Sequence, residues 1–213
     1  MKIAILDDYQ NVALRMADWA QRLPKLKSIA STGARNASID RQDSGSAGLG
    51  NIGAPVARIG LAFGMKIIAW SQNMTPEKAE TAGATLVSKD ELFRQADIVT
   101  VHLILSGRTR GLVGAAELAL MKPTSRLINT SRGPIVDEAA LVKALRSHAL
   151  AGAAMDVFDQ EPLPSHHPFR TMDNVLATPH IGYVTENLYR TFYGDAVTII
   201  TAWLDKQAQG KVE

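Results

Sequence analysis

Short apolar runs recur along this chain, and stretches with helical periodicity separate them. The runs fall at 66–70, 98–102, 126–129, 151–156 and 175–177, and the helical pattern at 52–63, 76–82, 89–95, 115–121 and 138–147. A strand buried on both faces reads as a continuous apolar run, which is how parallel sheets covered by helices look in sequence. The alternation predicts βαβ units and an α/β class, a Rossmann-like doubly wound parallel sheet. A further short strand is predicted at 85–87 and a long helix from about 185 to 205. Nearer the start, 3–6 and 28–31 read as strands and 11–22 as a helix, whereas 33–47 is rich in Gly, Ser, Asn and Asp and reads as loop.

Three polar residues stand just beyond such runs. Arg132 follows Arg126-Leu127-Ile128-Asn129-Thr130, Glu161 follows the run at 151–156, and His180 follows Val175-Leu176-Ala177-Thr178. An open α/β sheet takes its ligand beyond the carboxyl ends of its strands. A guanidinium, a carboxylate and an imidazole at three such ends would supply an anion holder, a tuner of protonation and a proton carrier, so the pattern predicts an enzyme.

Composition narrows the class. The chain has 213 residues, enough for one large domain or one domain plus a small one, and its 46% apolar content supports a substantial core. The net charge is only +2 and no Lys/Arg cluster marks a nucleic-acid face, so neither nucleic acid nor membrane is an expected partner. No cysteine is present, which excludes disulfides and thiolate metal sites and suits a cytoplasmic location. Asp7 and Asp8 interrupt the first apolar run, against a signal peptide, and the stretch 196–204 is too short to span a bilayer. His166 and His167 are neighbours in sequence with no acidic or thiol partner clustered beside them, so no metal site is expected; His148 reads as a solvated residue at a helix end.

Gly48-Leu49-Gly50-Asn51-Ile52-Gly53 fits the spacing G-x-G-x-x-G. In that pattern the first glycine permits a tight turn, the second lets backbone approach a pyrophosphate, and the third lets the following helix pack closely. The pattern needs a strand before it and a helix after it. The helix is predicted. The strand is not, because Arg41-Gln42-Asp43-Ser44-Gly45-Ser46-Ala47 carries no β-branched or apolar run. About twenty positions on, Trp70-Ser71-Gln72-Asn73 offers no carboxylate for a ribose 2′-hydroxyl and no arginine for a 2′-phosphate. Ser71 and Asn73 suit either cofactor, which leaves NAD or NADP open with a lean toward tolerance of NADP.

Further motifs bear a family resemblance. Ala96-Asp97-Ile98-Val99-Thr100-Val101-His102-Leu103, Asn129-Thr130-Ser131-Arg132-Gly133-Pro134-Ile135-Val136-Asp137, Met155-Asp156-Val157-Phe158-Asp159-Gln160-Glu161-Pro162-Leu163 and Thr178-Pro179-His180-Ile181-Gly182 follow the glycine loop in order. Together they resemble the D-isomer-specific 2-hydroxyacid dehydrogenases over about residues 48–187. The resemblance implies hydride transfer between NAD or NADP and a small D-2-hydroxy acid or 2-oxo acid. It makes Arg132 the holder of the substrate carboxylate, since a planar guanidinium can give two parallel hydrogen bonds. It makes His180 the general acid/base. Glu161 would bond to His180, fix its tautomer and favour the imidazolium. Asp156 would sit near the nicotinamide. The cofactor would be held by Gly48, Gly50, Asn51, Ile52, Gly53, Ser71, His102, Thr130, Ser131, Arg132, Asp156, His180 and Gly182, with His102 contributing through its backbone. A homodimer is the expected assembly.

The chain departs from the family at its start. Asp7-Asp8-Tyr9-Gln10 and residues 32–40 resemble pieces of a substrate-binding domain that is normally much larger. The resulting division is a partial, residual substrate domain over 1–43, a dinucleotide-binding domain over 44–184, and a C-terminal helix over 185–213 returning to the substrate domain. A vacant central strand position would leave two buried strands with unpaired backbone groups. Three explanations stand at this point: an internally deleted product, omitted segments of a longer protein, or a vacancy filled by 3–6 or 28–31. The functional alternatives are a non-catalytic dinucleotide-binding or corepressor-like protein and an inactive remnant.

Overall fold

The computed structural model describes residues 44–209. β1 (Ser44–Ala47) turns into α1 (Gly53–Ala62), then β2 (Ile67–Trp70), α2 (Pro76–Thr81), β3 (Thr85–Leu86) and α3 (Lys89–Gln95). β4 (Ile98–Val101), α4 (Ala115–Leu120), β5 (Arg126–Asn129), α5 (Glu138–Arg146), β6 (Gly152–Met155) and β7 (Val175–Ala177) follow. α6 (Glu186–Gln209) closes the order, and short 3-10 turns lie at Gly133–Ile135 and Pro168–Arg170. Seven strands form one sheet in the order β3-β2-β1-β4-β5-β6-β7, with every pairing parallel. The expected doubly wound architecture is therefore present. The expected pieces at 3–6, 11–22, 28–31 and the whole 1–43 substrate portion lie outside the described residues.

One expectation is overturned. The sequence predicts no strand before Gly48, yet Ser44–Ala47 occupies the central position, its residues in register with Ile67–Trp70 on one side and Ile98–Val101 on the other. Ser-Gly-Ser-Ala carries almost no intrinsic strand preference. Two strand edges with unpaired N–H and C=O groups impose the extended form instead, because leaving those groups buried and unbonded costs more than ordering a small-residue segment. The small side chains also serve packing. Ser46 and Ala47 are almost wholly buried, and Ser46 Oγ donates to the Gly48 carbonyl at 2.8 Å.

Side chains alternate across the sheet, so each strand feeds two cores. Ile68, Val99, Val101, Leu127, Ala153 and Met155 join Leu92, Phe93, Leu118, Leu141 and Leu145 of α3, α4 and α5 in one cluster. Ile67, Ala69 and Ile98 join Ala57 of α1 and Met65 in a second. Helices thus cover the two faces separately. Local signals support them: Ser88 and Glu91 form a reciprocal capping box at the start of α3, and Asp137 caps α5 by accepting from the Ala140 N–H at 2.9 Å.

The chain divides into two units at the Gly182–Tyr183 bond. The second contains α6, in which Glu186 pairs with Arg190 at 2.6 Å and Tyr189 packs edge-on against Tyr193 with ring centroids 5.7 Å apart. Among the described residues no helix is long and apolar enough to cross a membrane.

Candidate active site

The sheet winds one way from β1 to β3 and the other way from β4 to β7, so its switch point lies between β1 and β4. The loops after β1, β2, β4 and β5 open there onto a crevice of about 1160 Å³. Of the residues singled out in the sequence, Gly48, Gly50, Asn51 and Ile52 line it from the first loop, Ser71 from the second, His102 from the third, and Thr130, Ser131 and Arg132 from the fourth.

Each glycine of the turn has its own reason. Gly48 has φ +102°, and a Cβ on it would stand 2.8 Å from the His102 carbonyl oxygen. Gly53 lies beneath the crevice rather than on its wall, and a Cβ there would collide with the Gly48 carbonyl. Gly50 has nothing within 4 Å of where a Cβ would be, so its open side is free for a ligand to approach the backbone. A tight turn, an open approach and a close helix start are the fit a pyrophosphate requires.

At the end of β5 a buried amide braces the next turn. Asn129 accepts from the Ser131 N–H at 3.0 Å and donates to the Arg132 carbonyl at 2.9 Å, while Ser131 Oγ donates to the Val101 carbonyl of β4 at 2.8 Å. Arg132 follows with an exposed side chain whose Nη1 donates to the Ser131 carbonyl at 2.6 Å. That bond steadies one edge of the guanidinium fork. Gly133 then passes directly under the backbone of Phe158 and Asp159, where any Cβ would collide.

Glu161 and His180 meet. Glu161 Oε2 lies 2.6 Å from His180 Nδ1, and its Oε1 accepts from the Phe158 N–H at 3.0 Å. Burial by itself would raise the Glu161 carboxyl, but the hydrogen bonds from His180 and Phe158 and the charges of His180 and Arg132 outweigh it and hold the carboxyl below its usual value. An ionised carboxylate only accepts, so Nδ1 is the donor. His180 itself has φ 54°, a left-handed conformation uncommon outside Gly and Asn-like residues. Asp156 holds that conformation in place. Its buried carboxylate accepts from Thr178 Oγ1 at 2.5 Å, the Ile181 N–H at 3.0 Å and the Gly182 N–H at 2.9 Å. Asp156 thus buttresses the loop that carries His180 and Gly182, and the Arg132 charge on the crevice wall acts on the Glu161 carboxyl beside it.

The His102 ring is held inside the fold. Its Nε2 lies 2.9 Å from Thr100 Oγ1, while its Nδ1 is sealed from solvent without a hydrogen-bond partner among the described residues. Burial pushes the imidazole pKa from 6.5 down to about 4. The folded chain therefore keeps this ring neutral in a range where the unfolded chain protonates it, and stability falls as pH drops from 6.5 toward about 4. The loss is expected to reach at most about 3 kcal/mol, since one pKa unit is worth about 1.4 kcal/mol and the residue keeps some exposure. Urea unfolding of the parent and of His102→Asn across that range measures it; parallel pH dependences for the two would refute it.

The histidine pair requires a correction. His167 does have an acidic partner: its Nε2 lies 2.9 Å from Glu138 Oε1, with Nδ1 accepting from the Phe169 N–H at 3.2 Å. Twenty-nine residues separate Glu138 from His167, so a search along the neighbouring sequence passes it by. Among the described residues no group of His, Asp or Glu could hold a metal ion. Sequence reasoning also passed over Lys78 and Arg108, both on the crevice wall. Their signal was positional: Lys78 comes eight residues after Trp70 of β2 and Arg108 seven after Val101 of β4.

A doubly wound parallel sheet with this glycine turn at its switch point defines a dinucleotide-binding protein. The chain belongs to the D-isomer specific 2-hydroxyacid dehydrogenase family, whose NAD binding domain matches residues 10–182. It is 45% identical over 165 residues to a glyoxylate reductase of Aeropyrum pernix, covering 78% of this chain and 48% of that one. It is 47% identical over 142 residues to a D-3-phosphoglycerate dehydrogenase of Synechocystis sp., covering 67% of this chain and 26% of that one. Among solved structures, a putative D-3-phosphoglycerate dehydrogenase from Ralstonia solanacearum superposes with TM-score 0.74 at 40% identity, covering 79% of this chain and 49% of the other. A D-isomer specific 2-hydroxyacid dehydrogenase from Lactobacillus delbrueckii ssp. bulgaricus, in its NAD complexed form, gives TM-score 0.64 at 32% identity, over 76% and 54%. The chain spans about half the length of the glyoxylate reductases it matches, with 48% and 42% of two of them covered.

Proposed function

We propose that this protein transfers hydride between NAD(P) and a small D-2-hydroxy acid or its 2-oxo acid. The observation that carries the reading is the 2.6 Å contact between Glu161 and His180, electrostatically coupled to Arg132 on the wall of the dinucleotide crevice. When bound, the nicotinamide ring supplies or accepts the hydride. The Gly48–Gly53 turn and the start of α1 would hold the pyrophosphate, and Thr130 and Ser131 would face the cofactor from the β5 loop. Arg132 would grip the substrate carboxylate through its planar fork, presenting the neighbouring carbonyl for reduction. Glu161 fixes the His180 tautomer so that Nε2 points the proton: in reduction Nε2 donates it to the carbonyl oxygen, and in oxidation Nε2 takes it from the hydroxyl. Asp156 positions His180 through the 178–182 loop.

The test is direct. Oxidation of NADH and NADPH is followed spectrophotometrically with glyoxylate, hydroxypyruvate and pyruvate, alongside a melt that shows the sample is folded. Turnover with at least one 2-oxo acid is expected. A folded sample that binds dinucleotide but turns over none of them would reject the catalytic reading and leave a binding protein.

A further inference from the structure

The crevice wall is electrostatically one-sided. It carries three cations, Lys78, Arg108 and Arg132, and no aspartate or glutamate. The absence of acid matters most at the end of β2, where a doubly wound dinucleotide fold meets the adenosine ribose. A carboxylate there would accept from the ribose 2′-hydroxyl and repel a 2′-phosphate. Here the wall after Trp70 is Ser71, Gln72 and Asn73, and Lys78 joins it from α2. The serine hydroxyl, the amide NH₂ groups and the ammonium are all donors. Lys78 is exposed and makes no ion pair among the described residues, so its charge is available. Glu77 and Glu80, its neighbours on α2, do not line the crevice.

Resting on the dinucleotide reading above, we propose that this crevice prefers the 2′-phosphorylated cofactor, NADP(H), over NAD(H), with Ser71, Asn73 and Lys78 meeting the 2′-phosphate. A phosphate dianion offers only acceptors at this point, so each of the three can donate to it in a charge-assisted bond. The non-phosphorylated ribose offers them a weaker match, because its hydroxyl is neutral and no wall carboxylate accepts from it. Selection here is by a surplus of donors, one of them charged, on one side and a missing carboxylate on the other.

Affinity, rather than turnover, tests this. The full chain is titrated with NADPH and NADH by nicotinamide fluorescence, and with 2′,5′-ADP and 5′-AMP by calorimetry, which isolates the phosphate from the nicotinamide. NADPH is expected to bind at least about tenfold tighter than NADH, and 2′,5′-ADP to exceed 5′-AMP in the same direction. Lys78→Met should weaken NADPH by about tenfold and NADH far less, and Ser71→Asp should reverse the preference. Equal affinities, or tighter NADH, would overturn the proposal while leaving the dinucleotide reading intact. A Lys78→Met variant that weakens both nucleotides alike would remove Lys78 from the phosphate site. Failure of either nucleotide to bind the folded chain would overturn the dinucleotide reading and this proposal together.

Discussion

Replacing His180 with asparagine is expected to lower the turnover of 2-oxo acid reduction by about 10²–10⁴-fold, the range typical for loss of a positioned general acid. Asparagine is the informative substitute. It tolerates the left-handed backbone at position 180, where φ is 54°, so the loop can keep its course while the titrating ring is lost. Nucleotide binding should largely survive, because the Gly48–Gly53 turn that would hold the pyrophosphate is left intact. Glu161→Gln probes the same pair differently. Its amide can offer either an oxygen or an NH₂ to Nδ1, and the second choice needs a bare Nδ1, which excludes the doubly protonated ring from which Nε2 donates in reduction. Turnover should therefore fall in this variant too, with the protein folded and the ring still present. A His180→Asn enzyme retaining more than about a tenth of parental turnover would remove His180 from the acid/base role.

Asp156→Ala is expected to destabilise the fold by about 3–5 kcal/mol. Three donors converge on this carboxylate: the Thr178 hydroxyl and the Ile181 N–H on Oδ1, and the Gly182 N–H on Oδ2. A hydrogen bond to a charged group contributes about 1.5–3 kcal/mol, and a buried donor left without an acceptor adds its own desolvation cost. The total is smaller than three full bonds because a released loop regains contact with water. Asp156→Asn should fall between the two, since it keeps the Oδ1 acceptor but turns an NH₂ toward the Gly182 N–H. Denaturant unfolding at neutral pH measures both. An alanine variant within about 1 kcal/mol of the parent would show that the 178–182 loop does not depend on this group.

The two predictions bear on how the site is encoded. Strands β2, β4 and β5 are legible from sequence because a doubly covered parallel strand must be apolar on both faces, and Ile67–Trp70, Ile98–Val101 and Arg126–Asn129 largely are. β1 is illegible for the opposite reason. Nothing in Ser-Gly-Ser-Ala prefers an extended chain, and only the open edges of β2 and β4 define its place. The candidate site divides in the same way. The glycine turn is readable because its backbone geometry excludes other residues, as the Gly48 and Gly53 contacts make plain. The Glu161–His180 pair is suggested by family motifs, but a separation of nineteen positions hides the distance between them. Asp156 belongs to a family motif, but the three hydrogen bonds its carboxylate accepts from the loop carrying His180 cannot be read from sequence spacing. Lys78 and Arg108 belong to no motif, and only the topology reveals that they share a wall with Ser71 and Gly50.

The hydrogen-bonded ladder runs unbroken from β3 to β7 only because β1 stands between β2 and β4. Four short residues thus act as the seam between two blocks of sheet, one of two strands and one of four. The crevice opens over that same seam, fed by segments from both blocks. A nucleotide seated there would work as a clasp, tying the halves together across the joint that intrinsic preference secures least. Bound nucleotide is then expected to raise the melting temperature of the chain, with this joint as the place that gains most.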